Sequence, residues 1–386
     1  MRETAMPLRH RNRRFAPALA ALGLAVLASC TDELTVDGSQ PPPLNLTCTV
    51  DLSFVADGGV GRDGIPALTN PPMVEPGDAA LGYLLPTDRI IGLVLDGQPI
   101  AIPHNILWWH EIVNLDRGDQ RLAVTYCPLT GSSMVFDRSA IGGAELGVSG
   151  LLFQANLMMY DRRSGESLWP QMMAAAACGP GTGTRLAMVP SVEMTWVAWQ
   201  ALHPETVAVS GLLGTGRDYT RYPYGDFESL SNQNFLGFPV PTLDARMPAK
   251  QRVLGIPLGD DGGLALPFDE LDFLGDEVLV DVEVGGEPML VVWDRMAASA
   301  WAFHATLDGT RLAFRMTGGR IVDTETGSVW TRDGRATEGP LAGSRLEPVA
   351  EAYVAFWGAW STFRRETQAW TVPPSAAPRS ALRPGA

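Results

Sequence analysis

One cysteine and two histidines lie close together along the chain and could form a reactive or metal-binding site. Cys127 ends an apolar, β-branched stretch, and His104 and His110 precede it. Cysteine thiolate and imidazole are ligands of copper and zinc, and a thioether such as that of Met158 suits copper. A Cys–His pair would equally suit nucleophilic catalysis. The sequence therefore predicts a site in which His104, His110, Cys127 and Met158 bind copper or zinc, or in which Cys127 is a catalytic thiol.

A structural role for the same residues competes with this prediction. Free cysteine is among the most buried residue types, and the spacing of His104 and His110 does not match two ligands one helical turn apart. A thiol becomes reactive only where a cation, a helix N-terminus or a metal lowers its pKa, and Arg138 is the candidate cation. The side chains expected to line the site are Tyr126, Ser132, Ser133, Asp137, Arg138, Asp161 and His304.

A predicted hairpin over residues 122–136 positions the cysteine. Residues 122–125 are apolar and β-branched, which favours a strand. Pro128 removes a backbone donor and ends that strand, and small residues at 130–133 predict a turn before a second strand at 134–136. A cysteine at a strand end, beside a turn that carries hydroxyl groups, is well placed to face a cleft.

Four segments of the first part of the chain recur in the same order in the second part. Ordered matches of this kind indicate a tandem duplication. Asp161 and Asp323 are counterparts, which favours a turn-stabilising role for both. The alignment also places Trp293 opposite Cys127, so cysteine chemistry would belong to the first copy alone. The matched segments are residues 89–103 with 252–267, 161–169 with 323–330, 179–186 with 339–346, and 196–206 with 356–367.

These patterns predict a β-rich α+β fold, in which a mostly antiparallel β unit is duplicated with pseudo-twofold symmetry and each copy is closed by a helix. Alternating apolar residues around Gly-containing turns predict paired strands at 90–95 and 100–102, and at 253–258 and 264–266. Aromatic residues at helical spacing predict the closing helices over 194–202 and 350–363. The predicted divisions are a first repeat with the candidate site at 47–216, an inter-repeat connection at 217–250, a second repeat at 251–370 and a disordered tail at 371–386.

Residues 1–29 are typical of a lipoprotein signal peptide. A basic segment precedes an apolar stretch over 16–28 that is too short to span a membrane. Leu27-Ala28-Ser29-Cys30 then matches a lipobox, so Cys30 is expected to carry the lipid and become the mature N-terminus. Residues 30–46 are polar and Pro-rich and would form a tether. The predicted location is the cell envelope, with the outer membrane, facing the periplasm or the exterior, as the destination if the cell has one.

The net charge of the chain narrows the classes of partner. The value of −14 argues against binding to nucleic acid and to anionic headgroups, so the expected contact with the membrane is made by the lipid on Cys30.

The cysteine count limits the possible disulfides. Of the four cysteines, Cys48, Cys127 and Cys178 remain after lipidation in an oxidising compartment. This odd number leaves at least one unpaired. Cys48 could pair with either of the others, Cys127 could pair with Cys178, or no disulfide forms.

The chain carries a series of ordered motifs at residues 125–138, 147–152, 156–161, 167–169, 323–330 and 339–343. In these motifs it resembles the bacterial family called Domain of Unknown Function 3179 (DUF3179), over about residues 88–370. The resemblance implies no reaction, since the family is largely uncharacterised, but many members are secreted or lipid-anchored. Some members carry a second cysteine, or a selenocysteine, in or near the Cys-Pro-Leu segment. This chain has Thr130 there, which puts dithiol chemistry in doubt.

Two functions follow from the sequence. The first is an exported, lipid-anchored envelope protein with a cysteine-centred metal or thiol-redox site in the first repeat. The second is a non-catalytic envelope module that binds a ligand or partner in the cleft between the repeats, with Cys127 packed in the core.

Overall fold

The computed structural model describes residues 45–373, apart from Ser164 and Phe235. The predicted signal peptide at 1–29, the tether at 30–46 except its last two residues, and the tail beyond residue 373 lie outside this part of the chain, as does Cys30. Within the described residues, no helix is long and apolar enough to cross a membrane. The fold is β-rich with few helices, and most strand pairs are antiparallel.

The first half is built on a hairpin whose strands were expected from the sequence. Arg89–Leu95 pairs antiparallel with Gln98–Pro103, and consecutive residues of both strands are buried, so both faces of this hairpin are covered. Val192–Thr195 adds antiparallel to the first strand, and Val207–Val209 adds parallel to the second. Met73–Val74 completes this five-stranded sheet.

The second half contains a sheet of the same order and strand sense. Arg252–Leu258 pairs antiparallel with Gly262–Pro267. Tyr353–Phe356 adds antiparallel to the first of these strands, and Glu366–Ala369 adds parallel to the second. The two sheets therefore share one connectivity, although their sequences differ at most positions.

A tryptophan packs over a glycine in each of these sheets. The ring of Trp199 covers Gly92 and the ring of Trp360 covers Gly255, so a Cβ at either glycine would collide with an indole. Each indole also donates a hydrogen bond from Nε1 to a threonine of the following strand or loop, at 2.7 Å and 2.8 Å. The two halves thus use one packing arrangement to fix the closing helix on its sheet.

The remaining strands form smaller sheets on the two halves. The sheet that holds Cys127 consists of Leu68–Thr69, Ile112–Arg117, Gln120–Cys127 and Ser132–Asp137. A second-half sheet of similar hairpins consists of Glu277–Val284, Glu287–Asp294 and Ser299–His304. The others are Val55–Asp57 with Leu146–Phe153, Asn156–Asp161 and Leu168–Pro170, then Phe314–Thr317 with Arg320–Asp323, Val329–Trp330 and Ala336–Glu338, and finally Thr306–Leu307 with Thr310–Arg311.

Four α-helices of seven residues each occur in the described residues, and two of them were not predicted. The unpredicted helices, α1 at His104–His110 and α3 at Phe268–Leu274, follow a proline at the end of a strand. The predicted helices are shorter than expected: α2 is Trp196–Leu202 and α4 is Trp357–Phe363. The residues before α2 and α4 are extended instead, because their backbones pair with the central hairpins. Single 3-10 turns occur at Leu52–Phe54, Ala79–Leu81, Ser139–Ile141, Gln171–Met173 and Leu230–Asn232.

The hairpin register corrects the expected match between the two halves. The hairpins close at the pairs Arg117–Gln120 and Val284–Glu287. Counting from these pairs places Asp294, and not Trp293, at the position equivalent to Cys127. The predicted alignment is one residue out of register. Because successive side chains of a strand point to opposite faces, this slip exchanges the two faces of the strand.

Candidate functional site

The Cys127 thiol is buried and is not activated. Only 1% of the residue is exposed. Its sulfur accepts a hydrogen bond from the Leu157 backbone N–H at 3.4 Å and lies 3.9 Å from the Ala155 carbonyl oxygen. Burial, with a contribution from the nearby Glu111 carboxylate, raises the pKa of Cys127 to about 11. The thiol is therefore neutral near pH 7, which is the opposite of what nucleophilic chemistry requires.

The structure does not bring the predicted metal ligands together. His110 is held by the Pro66 carbonyl oxygen at Nδ1, 2.7 Å, and by the Tyr219 hydroxyl at Nε2, 2.8 Å. Met158 packs in the same apolar core as Cys127, whereas His104 lies beside Glu193. Across residues 45–373, as far as they are described, no group of three or more His, Cys, Asp and Glu residues could hold a metal ion.

The hydroxyl-bearing turn is buried and satisfied internally. Thr130 Oγ1 and Ser132 Oγ are 2.8 Å apart, and Ser132 donates to Gln171 Oε1 at 2.5 Å. The Asn156 amide donates to Thr130 Oγ1 at 3.0 Å and to Gln171 Oε1 at 2.9 Å. Gln171 in turn donates to Thr125 Oγ1 at 2.8 Å. A connected network of this kind fixes the turn in the core and uses the Thr130 and Ser132 hydroxyl groups for internal hydrogen bonds.

A buried charge cluster lies on the other side of the Cys127 strand. Its centre is Glu193, whose side chain is 1% exposed. Ser133 donates to Glu193 Oε2 at 2.6 Å, Arg89 Nη1 lies 3.2 Å from Oε1, and Arg252 forms a closer ion pair with the same oxygen. Burial opposes ionisation of Glu193, but Arg252 and its other neighbours outweigh it and lower the pKa to about 2.

His104 borders this cluster without a hydrogen bond. Its Nε2 is 3.5 Å from Glu193 Oε2, and neither ring nitrogen has a partner among the described groups. Burial lowers the pKa of His104 to about 3, so the ring is neutral and the contact with Glu193 is not a salt bridge. The ring packs against Tyr126, with 4.2 Å between centroids.

The connection between the halves supplies the outer part of the cluster. Glu228 Oε2 pairs with Arg89 Nη2 at 2.9 Å, and its other oxygen accepts from the hydroxyls of Tyr126 and Tyr222, both at 3.3 Å. Arg89 and Arg252 open the central hairpins of the first and second halves. The cluster thus joins both halves and the connection, and its two cations and two carboxylates balance.

The other predicted lining residues have structural partners. Asp137 accepts the Ser139 backbone N–H at 2.7 Å, and the buried Arg138 donates to the Leu122 carbonyl oxygen at 3.0 Å. Asp161 accepts the Trp169 indole N–H at 2.9 Å, and Asp323 accepts the Trp330 indole N–H at the same distance. The turn-stabilising role expected for both aspartates agrees with these contacts. His304 lies at the end of a second-half strand, where its backbone pairs with Met289.

The largest cavity described lies between the two halves and was not located by the sequence. Its volume is about 760 Å³, which is within the range of about 300–1,000 Å³ typical of small-molecule sites. Apolar side chains and charged side chains, both arginines and aspartates, line it together. Its lining comes from the N-terminal segment, the first half, the connection and the second half, and includes Phe54, Phe153, Gln154, Met172, Met173, Arg185, Thr242, Asp260, Asp261, Thr362, Phe363 and Arg364.

Gln154 places an unpaired amide in this cleft. The residue is 5% exposed. Its side chain makes no hydrogen bond to any residue that the structure describes, and its amide is not one of the fully enclosed polar groups without a partner in that part of the chain. Gln154 and Ala155 form the turn between two strands with φ of 52° and 62°, a region that side chains other than Asn, Asp and Gly adopt at a cost. Arg364 lines the same cleft, and its Nε is buried without a partner in the described part. An enclosed, unpaired guanidinium nitrogen such as this one is rare in proteins.

A second, smaller cavity of about 30 Å³ adjoins the cysteine strand. Its wall is apolar except for the Glu111 carboxylate and the Tyr224 hydroxyl, which donates to Glu111 Oε1 at 3.1 Å. Burial raises the pKa of Glu111 to about 7. No residue of this acid–tyrosine pair was singled out from the sequence as a site residue, because Glu111 and Tyr224 are far apart in the chain.

Comparison with known proteins agrees with the sequence motifs and adds no activity. No curated protein and no solved structure matches the chain. The family described as "Protein of unknown function (DUF3179)" matches residues 62–367, a range that contains the charge cluster, Glu111 and Tyr224. This match covers most of the chain, and the protein therefore belongs to the DUF3179 family.

Proposed function

We propose that this protein is an exported, lipid-anchored envelope protein that binds a small ligand in the cleft between its two halves. The observation that carries the proposal is a cavity of about 760 Å³ lined by both halves, in which the Gln154 side chain has no hydrogen-bond partner among the described residues. An amide that lines a cleft without a protein partner can donate and accept hydrogen bonds from a ligand.

The chemistry of the cleft defines what it could hold. Phe153, Met172 and Phe363 offer an apolar surface, while Arg364 and Gln154 offer hydrogen-bond donors. Apolar walls with a few polar groups are typical of small-molecule sites. The ligand would therefore have an apolar body and an acceptor group that meets the amide and the guanidinium.

A cysteine-centred reaction is the weaker proposal. The Cys127 thiol is buried, and its pKa is raised to about 11. Its neighbours His104 and His110 make contacts elsewhere, so no imidazole is placed to remove its proton. Binding in the cleft requires no such proton transfer.

We also infer that the two halves arose by tandem duplication. The support is a shared strand order, a tryptophan over a glycine in each sheet, and the recurring Asp161–Trp169 and Asp323–Trp330 hydrogen bonds. A survey of family sequences tests this inference. It fails if the two halves of other members align no better than shuffled sequences.

Binding is tested with the full-length protein extracted from the envelope in mild detergent. We expect native mass spectrometry to show a small-molecule adduct on the wild type, and Gln154→Leu to lose it. Gln368→Leu, the same change at an exposed position outside the cleft, should retain the adduct. An adduct that survives Gln154→Leu, or a wild type that takes up nothing from an extract of the same envelope, contradicts the proposal.

The anchor has a separate test. The intact mass of the mature protein should equal that of a chain beginning at Cys30 plus an acylated glycerol. Cys30→Ala should abolish the adduct and release the protein from the membrane. An unmodified chain found in the soluble fraction would contradict the anchoring.

A further inference from the structure

Glu111 occupies a backbone position that does not favour glutamate. It follows helix α1 with φ 55° and ψ −29°, the left-handed conformation that glycine and asparagine adopt most easily. Its N–H donates to the Leu107 carbonyl oxygen at 2.8 Å, and its carbonyl oxygen accepts the Tyr126 N–H at 2.9 Å. Glycine could form both bonds without strain, so the backbone gives no reason for a glutamate here.

The side chain is buried without a counter-ion. Glu111 is 6% exposed, and among the ion pairs of the described residues none involves it. Its one side-chain hydrogen bond, within the same part of the chain, comes from Tyr224. A carboxylate in such a place is costly unless it is protonated or meets a cation. A strained backbone and an uncompensated acid at one residue are the kind of local conflict that functional sites retain.

The cavity beside Glu111 is small and apolar. Its volume of about 30 Å³ exceeds the roughly 10–15 Å³ that a cavity needs to hold one water molecule. The carboxylate and the Tyr224 oxygen are the polar side-chain atoms of its wall. The apolar part of the wall includes Ile65, Leu129, Val148, Leu157 and Phe238.

We propose that Glu111 binds the ammonium group of a primary alkylamine, whose methylene groups contact the apolar wall. An –NH3⁺ group is about as large as a water molecule, and it can donate to the free Glu111 oxygen and to the Tyr224 oxygen. Phe238 and Tyr224 add aromatic surface, which favours organic cations.

Inorganic cations fit this cavity poorly. Calcium requires six or more oxygen ligands, and magnesium requires octahedral oxygens or water. The two side-chain oxygens of Glu111 and Tyr224, set among aliphatic groups, do not meet that requirement. An alkylammonium ion differs because its methylene groups gain from contact with the apolar wall.

This amine site is independent of the cleft proposed above, because the two cavities share no lining residue. Ligands of the two sites also differ in charge and size. The result at one site therefore does not decide the result at the other.

The test uses the full-length protein and the pair butylammonium chloride and butan-1-ol, which have nearly the same shape and differ in charge. At pH 8, we expect butylammonium to raise the melting temperature of the wild type above that in sodium chloride of equal ionic strength, and butan-1-ol to leave it unchanged or lower it. Glu111→Gln keeps the size of the side chain and should weaken binding by about 10-fold or more, because a charge-assisted hydrogen bond is lost. Glu351→Gln, at an exposed position, should bind as the wild type does.

Two outcomes overturn the proposal. One is an equal effect of butylammonium and butan-1-ol on the wild type, including no effect of either. The other is a butylammonium effect that survives Glu111→Gln. If Glu111→Gln does not fold, Tyr224→Phe takes its place, because this variant keeps the carboxylate. Its binding of butylammonium is then compared with that of the wild type, alongside the comparison of the two probes on the wild type. Weaker butylammonium binding by that variant supports the site, and unchanged binding overturns it.

Discussion

Tyr126 and Cys127 are neighbours in the chain, yet their side chains enter different cores. Tyr126 packs with Val124 and Val135 on one face of the strand, whereas Cys127 packs with Met158 and Phe136 on the other. Alternation along a strand produces this separation. As a result, the site predicted around Cys127 divides into a charge cluster on the Tyr126 side and a buried thiol beside Glu111 on the other side.

The burial of Cys127 predicts an unreactive thiol. With its pKa raised to about 11 from the ordinary 9.0, its thiolate fraction at pH 7 is about 100-fold lower than that of a free cysteine. We expect a chromogenic disulfide reagent to label the mature folded protein at least about 100-fold more slowly than the denatured chain. The control is Cys127→Ala, which should show no labelling in either state. Rapid labelling of the folded wild type would contradict the packed-thiol interpretation.

Glu193 should contribute strongly to the free energy of unfolding, because it pairs with arginines of both halves. Glu193→Gln leaves Arg252 and Arg89 facing a neutral amide, and breaking a buried ion pair of this kind costs about 3–5 kcal/mol. We expect the lower end, since Arg89 keeps its pair with Glu228. Urea unfolding at pH 7 measures the change, with Glu287→Gln at an exposed position as the control.

The same substitution should lose its effect in acid. The folded pKa of Glu193 is about 2, against 4.5 for an unperturbed glutamate, so the carboxylate stabilises the fold above pH 4.5. This contribution, about 3 kcal/mol for a shift of this size, is lost as the pH falls from 4.5 towards 2. The unfolding free energies of wild type and Glu193→Gln should converge over that range. A difference independent of pH would contradict the charge interaction.

Glu111 predicts a pH dependence of the opposite sign. Its folded pKa is raised to about 7 from 4.5, so the unfolded chain releases this proton first as the pH rises. Stability should therefore fall between pH 4.5 and 7, by about 3 kcal/mol from this residue. Its titratable neighbours Tyr224 and Cys127 have raised pKa values and do not ionise in that window.

Comparison of variants isolates this contribution. The free energy of unfolding of Glu111→Gln, minus that of the wild type, should increase from pH 4.5 to pH 7. Glu351→Gln should follow the wild type throughout. If the unfolding free energies of wild type and Glu111→Gln changed in parallel with pH, the predicted cost of burying the Glu111 carboxylate would be contradicted.

The disulfide between Cys48 and Cys178 should stabilise the first half. It joins residues 130 positions apart, and removing a bond that closes a long loop typically costs about 2–5 kcal/mol. We expect Cys48→Ser with Cys178→Ser to lower the unfolding free energy by that amount. Alkylation of the denatured, unreduced mature protein should modify one cysteine, Cys127. Modification of all three would exclude the disulfide.

Local sequence patterns predicted the strands well and the helices less well. The hairpin strands Arg89–Leu95 and Arg252–Leu258 were expected from alternation around Gly-containing turns. Helix α1 was missed because His-Asn-Ile-Leu-Trp-Trp-His has weak helix propensity and six of its seven residues are buried. Its first residue, His104, and the strained Glu111 that follows it are therefore placed by packing, which a local pattern does not encode.

The sequence by itself determined the β-rich class, the order of the hairpins and the family, because alternation, turn residues and ordered motifs are local properties of the chain. Only the tertiary structure decided which distant residues meet: Arg89 and Arg252 at Glu193, Cys48 at Cys178, and Glu111 at Tyr224. The physical reason is that such contacts depend on strand register and on which face of a strand is buried. A shift of one residue in register reverses the faces while leaving the local pattern almost unchanged.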